Sequence, residues 1–290
     1  MKNYEELTFS DSFMFAKVTE DPKNCKRVLE SLLGEEINLI SEPNVEKELR
    51  NVPGGKYVRL DLYAEDDKAR VFDAEMQNYE KGKKGSLPKR SRYYQAMLDS
   101  YILNAGEDYK NLNESFIIFI CRFDPFGKGL YRYTFKGKCE ELSDLNMGDG
   151  ATRIFFNTKG DLSKAPEETR NLLKYVETGI VTNKLTEDID CSVKSAIESA
   201  VWKEDYMLSV LWRKDAILEG REEGLMQGRE EGLEQGREEG LVQGREEGIR
   251  QGRINVLVNM IQKGLDKSLI LDLGYTEEEY SIAEKKKENR

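Results

Sequence analysis

Asp61 and Glu75 are the residues whose type and spacing most clearly promise chemistry. In Tyr57–Tyr63, Val58, Leu60 and Leu62 alternate with Arg59, Asp61 and Tyr63, which is the two-residue period of a strand. Val71–Gln77 repeats the pattern, with Phe72, Ala74 and Met76 on one face and Asp73, Glu75 and Gln77 on the other. The polar stretch Glu65–Lys68 reads as the turn between them. The hairpin so formed brings Asp61 beside Glu75 and Gln77 on an exposed polar face. Two carboxylates about one strand apart suit Mg2+, a hard ion that takes oxygen ligands, keeps several waters and bridges to phosphate. Such an ion lowers the pKa of a bound water and offsets the charge that develops as a phosphodiester is cleaved. The carbonyl of Met76 is a further candidate ligand, and Gln77 can position an attacking water by hydrogen bonds, although it carries no cation.

Composition narrows the alternatives. The chain has 290 residues and no histidine, which excludes imidazole-based triads, histidine metal sites and a histidine general base. The four cysteines, Cys25, Cys121, Cys139 and Cys191, lie far apart in sequence and form no Cys-x-x-Cys pair, so they read as reduced, partly buried thiols. A net charge of −10 argues against a surface that grips nucleic acid everywhere, but not against a local basic patch. Lys81, Lys83, Lys84, Lys89, Arg90 and Arg92 follow the Glu75 strand directly and are such a patch. With Tyr94 they form a candidate DNA-binding set; one of Tyr93 and Tyr94 should be core. No run is long and apolar enough to span a bilayer, and the start MKNYEELTFSD lacks the pattern of a signal peptide, so a cytoplasmic location is expected.

The elements that must position these residues follow from periodicity. Val28, Leu29, Leu32 and Leu33 share one face of a helix over Asn24–Leu33 that Gly34 stops. Ile37–Leu49 predicts a strand that turns near Pro53–Gly55. After the hairpin, Tyr94, Met97, Leu98, Tyr101 and Ile102 mark a helix over Leu87–Leu103. Phe116–Phe123 is an almost continuous apolar run, as expected of a strand buried on both faces. Tyr131–Phe135 and Ile154–Phe156 are shorter strands, and from Glu167 onward the pattern is helical. Helix, three strands, helix and strand, then mostly helices, make an α/β domain with a helical C-terminal extension.

Arg221–Gly252 holds four copies of Arg-Glu-Glu-Gly-hydrophobic-x-Gln-Gly, with a glycine at every fourth position from Gly220. Each glycine gives up about 1 kcal/mol of helix stability relative to alanine, so the repeat is marginal alone. Its small residues would let a second backbone approach, so the repeat reads either as a helix that joins two copies in a homodimer or as a solvated, fraying one. Ile254–Ile261 and Ser268–Leu273 read as two short helices around Gly264. The expected divisions are a core over 1–140, a strand and helical extension over 141–218, the repeat helix over 219–253 and a short helical segment over 254–290.

Asp61, thirteen intervening residues and Glu75-Met76-Gln77 resemble the PD-(D/E)XK signature, with glutamine in place of lysine. LTFSDSFMFAKV at Leu7–Val18, VRLDLYAED at Val58–Asp66, FDAEMQ at Phe72–Gln77, KRSRYYQAMLDS at Lys89–Ser100 and FIIFICRFDPFGKG at Phe116–Gly129 resemble successive blocks of the recombination-promoting nuclease (Rpn) family, the PD-(D/E)XK nuclease family transposases. That resemblance implies a restriction-endonuclease-like core and a Mg2+-dependent DNA endonuclease tied to recombination or transposition. It also implies that Glu-x-Gln replaces Glu-x-Lys as a family trait. Asp11 and Glu30 are candidate extra ligands. The rival reading is a nuclease-like scaffold that has become an interaction protein, which the acidic net charge and the missing lysine favour.

Overall fold

The computed structural model describes residues 2–50, 56–79 and 85–288. The chain divides into two units, Met1–Ser209 and Val210–Arg290.

The first unit begins with two helices, α1 (Ser12–Thr19) and α2 (Pro22–Leu33). Local chemistry sets both ends of α2. Asp21 accepts a hydrogen bond from the Lys23 amide at 2.8 Å, Pro22 occupies the first turn, and Gly34 closes the helix at φ 77°. Three antiparallel strands follow, β1 (Asn44–Leu49), β2 (Val58–Glu65) and β3 (Val71–Gln77). Helix α3 (Ser86–Ile102) then crosses over to β4 (Ser115–Cys121), which lies parallel to β3, as neighbouring parallel strands require. Strands β5 (Arg132–Phe135) and β6 (Ala151–Asn157) complete a mixed six-stranded sheet of order β1-β2-β3-β4-β6-β5. The boundary expected at residue 140 thus falls inside the sheet, because β6 is inserted between β4 and β5.

Leu87, Tyr94, Met97 and Leu98 of α3 pack into a buried cluster with Val71, Ile117, Phe119 and Phe155 of the sheet. Helix α1 packs against β1, β2 and β3, and α2 and α5 (Lys184–Glu198) pack on α1, with α4 (Glu167–Thr178) against α2 and α5. Strand β4 is buried along nearly its whole length, as its apolar run predicts. One expectation is corrected: of Ile37–Leu49 only Asn44–Leu49 is strand, and Leu39 makes an isolated bridge to Asp66. Pro53–Gly55 lie outside the described residues.

A single helix, α6, spans Ala200–Gln262 and carries the repeat. The repeat glycines Gly220–Gly252 stand in open space, so that an added Cβ at any of them would meet nothing within 4 Å. Ile254–Ile261 is the last part of α6 and not a separate short helix, which corrects the sequence reading. In the second unit, Ile254, Leu257, Val258 and Ile261 bury against Ile270 of α7 (Lys267–Asp272) and Ala283 of α8 (Glu277–Glu288). Arg253 fastens this small core with hydrogen bonds of 2.7 and 3.0 Å to Glu279 and one of 3.0 Å to the Gly274 carbonyl. Among the described residues no helix is long and apolar enough to cross a membrane.

Candidate active site

The backbone ladder between β2 and β3 runs from Glu65 opposite Val71 to Leu62 opposite Ala74. At the next step side chains take over. The Asp61 amide donates to Glu75 Oε1 at 2.9 Å, and the Met76 amide donates to Asp61 Oδ2 at 3.1 Å. Each acid therefore caps the other strand's backbone, and the two carboxylates are fixed beside one another where the strands part. The N–H and carbonyl of one strand residue point to the same side. The Met76 carbonyl accordingly shares the edge on which its N–H meets Asp61.

The expected exposure of this face is overturned. Asp73, Glu75 and Gln77 are 0%, 1% and 1% exposed, because α3 lies over them, while Asp61 stays partly open. Arg90, from the first turns of α3, reaches down to the acids. Its Nη2 donates to Glu75 Oε2 at 2.6 Å and to the Tyr94 hydroxyl at 2.9 Å, and its Nη1 donates to Gln77 Oε1 at 2.9 Å. The guanidinium also lies over the Tyr94 and Phe119 rings, 4.8 and 5.4 Å from their centroids. Of the basic set that was expected to face DNA, Arg90 and Tyr94 belong to the acid site itself. Lys89 is exposed and Arg92 is exposed, so both are open to a ligand. Lys81, Lys83 and Lys84 lie outside the described residues. Tyr94 is the core member of its pair, at 8% exposure against 39% for Tyr93.

Asp73 is the residue that sequence reasoning passed over. Both of its carboxylate oxygens are buried without a hydrogen-bond partner. Burial raises its pKa well above the ordinary range, the charge of Asp61 raises it further, and Arg90 opposes both. Glu75 is pushed up for the same reasons, by burial first and then by Asp61 and Asp73. Burial alone would weaken the charge on Arg90, yet Glu75, Tyr94 and Asp61 outweigh it and hold the guanidinium more firmly protonated than usual. The Asp-x-Glu-x-Gln spacing on one strand face was the signal available for Asp73. Nothing local announced that Arg90 would stand where a lysine at 77 would put its charge.

Orphaned acid oxygens, two acids with raised proton affinity and an all-oxygen donor set fit a hard divalent cation, which would relieve the repulsion among Asp61, Asp73 and Glu75. Among the described residues no three Asp, Glu or Cys side chains converge as a ready metal cage. The donors on offer are thus the Asp61–Glu75 pair and the Met76 carbonyl, with the orphaned Asp73 carboxylate on the same strand face as Glu75 and water for the remainder. The two N-terminal candidates part company. Asp11 Oδ1 accepts from Asn78, just past β3, at 3.4 Å, and its other oxygen is taken by Lys2 and the Thr8 amide. Glu30 instead binds the Ile37 amide at 3.1 Å and pairs with Lys26 at 3.5 Å.

A mixed sheet with an acid pair on adjacent strands under a crossover helix is the α/β arrangement of the PD-(D/E)XK class. Residues 14–138 match the model of the PD-(D/E)XK nuclease family transposases. The match takes in most of α1, all of α2, α3 and β1–β5, and Asp61, Glu75, Gln77 and Arg90. No curated protein and no solved structure matches the chain.

Proposed function

We propose that the protein is a Mg2+-dependent DNA endonuclease that acts in the cytoplasm in recombination or transposition, with Asp61, Glu75 and the Met76 carbonyl as the ligands of the ion. The observation that carries this reading is the Asp61–Glu75 pair, locked by reciprocal backbone hydrogen bonds and faced by Arg90, inside a segment that matches a nuclease family. When bound, the ion supplies an activated water and neutralises charge on the phosphate. The chain's own residues do the rest. Asp61 stays partly exposed. Gln77, held by Arg90 through its Oε1, has its amide NH2 left to donate, and is assigned the orientation of the water. Arg90 supplies the positive charge that Gln77 lacks, close enough to steady negative charge on the phosphate as it builds. Lys83, Lys84, Lys89 and Arg92 are assigned to flanking phosphates, a role that makes binding salt-dependent without reading sequence. The rival reading, a scaffold that has lost catalysis, draws support from Arg90 itself, which occupies the Glu75 oxygen that an ion needs.

Plasmid cleavage decides between them. The purified chain should nick or linearise supercoiled DNA in Mg2+, lose that activity in EDTA, and lose it in Asp61→Ala and Glu75→Ala variants whose circular dichroism is unchanged. Equal cleavage by the wild type and both variants would contradict the assignment of the site, and a wild type inert in every divalent ion would favour the scaffold.

A further inference from the structure

We propose that an aromatic, cationic pocket between α3 and the β5–β6 edge of the sheet binds one unstacked nucleotide of a DNA strand, its base against Phe126 and Phe135 and its phosphate against Arg153 and Lys136. The proposal rests on the nuclease reading of the neighbouring acids and names where part of the substrate strand would lie.

The pocket has a volume of about 250 Å3, room for a base-sized ring system. Phe126, Phe135 and Phe155 form its wall, with Pro88 and Ser91 of α3 on one side and Arg153 and Lys136 on the other. None of the described lining residues is acidic, in a protein whose net charge is −10. Arg153 lines the pocket, and its Nε is buried with no hydrogen-bond partner. Phe135 is 43% exposed and offers a ring face.

The FDPFGKG segment is constructed to present Phe126. Asp124 Oδ1 accepts from the Phe126 amide at 3.1 Å, the Gly127 amide at 2.9 Å and the Tyr133 hydroxyl at 2.7 Å, while Oδ2 accepts from the Gly129 amide at 2.7 Å. Gly127 and Gly129, at φ 65° and 69°, let the loop curl around that carboxylate. The Phe126 ring is thereby held 4.9, 5.0 and 5.1 Å from the rings of Tyr133, Phe135 and Phe155. Such a fixed ring is a stacking platform.

Strand register places the pocket relative to the acids. Glu75 pairs with Phe119, Phe119 pairs with Phe155, and Phe135 pairs with Arg153. The pocket therefore lies two to three strands from Glu75 on the α3 face, about 10 to 15 Å across the sheet. A strand leaving the acid pair reaches it within a few nucleotides. Rings and cations together suit a single-stranded nucleotide, because a paired base keeps its faces inside the duplex stack. An apolar ligand would leave Arg153 unanswered, and a bare anion would not use the rings.

The test uses the full chain in EDTA, so that binding is measured apart from cleavage. Fluorescence anisotropy would follow a short labelled oligothymidine and a deoxyribose-phosphate chain of the same length without bases. Phe135→Leu keeps apolar volume but removes the ring, and should weaken oligothymidine binding at least about fivefold while leaving the baseless chain unchanged. Arg153→Gln should weaken both and flatten the salt dependence. Thermal melts confirm that the variants fold. Wild-type affinity for oligothymidine in either variant overturns the proposal, as does equal weakening of both probes by Phe135→Leu. Plasmid cleavage in Mg2+ by the same preparations separates the two readings. A cleaving wild type whose Phe135→Leu variant binds normally removes the pocket alone, and an inert wild type whose variants bind as expected removes the nuclease alone.

Discussion

Arg90 is the cation that the described structure sets against Asp73 and Glu75, and its contact with Gln77 changes what position 77 tolerates. A lysine there restores the usual signature on paper, but it would bring an ammonium against a guanidinium in a site where Gln77 is 1% exposed. Gln77→Lys is therefore expected to lower both cleavage and melting temperature, whereas the double variant Gln77→Lys with Arg90→Gln recovers much of each, since it keeps one cation in the site. A double-mutant cycle on cleavage rate and stability measures this coupling, and simple additivity would contradict it. The raised pKa values give a second prediction. Asp73 and Glu75 hold protons more tightly when folded, so without an ion stability falls as pH rises above the ordinary values of 3.8 and 4.5 toward the raised folded ones. Urea melts across about pH 5 to 8 should show this loss in EDTA and a flatter profile in Mg2+, because the ion binds the deprotonated acids. A flat profile in EDTA would show that the acids are not buried as described.

At the scale of elements, the same periodicity that made the hairpin legible concealed what lies on it. Alternation in Val58–Tyr63 and Val71–Gln77 told which side chains share a face. It could not tell that α3 covers that face, because cover is a matter of packing between residues distant in sequence. The acid pair was therefore found and its burial was not. The continuity of α6 was also illegible, since a glycine every fourth residue lowers local helix preference. Ile37–Glu42 carries enough apolar residues to suggest a strand, yet it forms one isolated bridge, Leu39 opposite Asp66, closed by the hydrogen bonds of Asn38 and Ile40. The repeat itself yields a prediction. A residue every fourth position drifts about 40° around a regular helix at each step, so the glycine line winds around α6 and two copies would wrap around one another. Replacing Gly224, Gly232, Gly240 and Gly248 by alanine should add about 1 kcal/mol of helix stability per site, since each added Cβ enters open space. If the glycines serve close approach between copies, the same variant loses mass in sedimentation while its circular dichroism signal becomes more heat-resistant. A gain in helix with unchanged mass would assign the repeat to a solvated tether.

On the nuclease reading an acidic chain, at net charge −10, must meet a polyanionic substrate, and this sets the conditions under which that reading can hold. Repulsion must be offset locally, by Arg90, Lys89, Arg92 and the cations of the proposed nucleotide pocket, and at the acids by a divalent ion. The family match covers residues 14–138, while the sheet extends through β6 and the repeat lies in α6, so the nuclease assignment belongs to the first unit and the association test to the full chain. Ion binding by the acid pair is the step on which everything else depends. It is measured most directly by titrating Mn2+ into the metal-free full chain and following the electron paramagnetic resonance signal of the free ion. The wild type should remove Mn2+ from solution more strongly as pH rises, Mg2+ should compete it off, and Asp61→Ala and Glu75→Ala should abolish the uptake. Undiminished uptake in a folded Asp61→Ala, Glu75→Ala double variant would contradict the account.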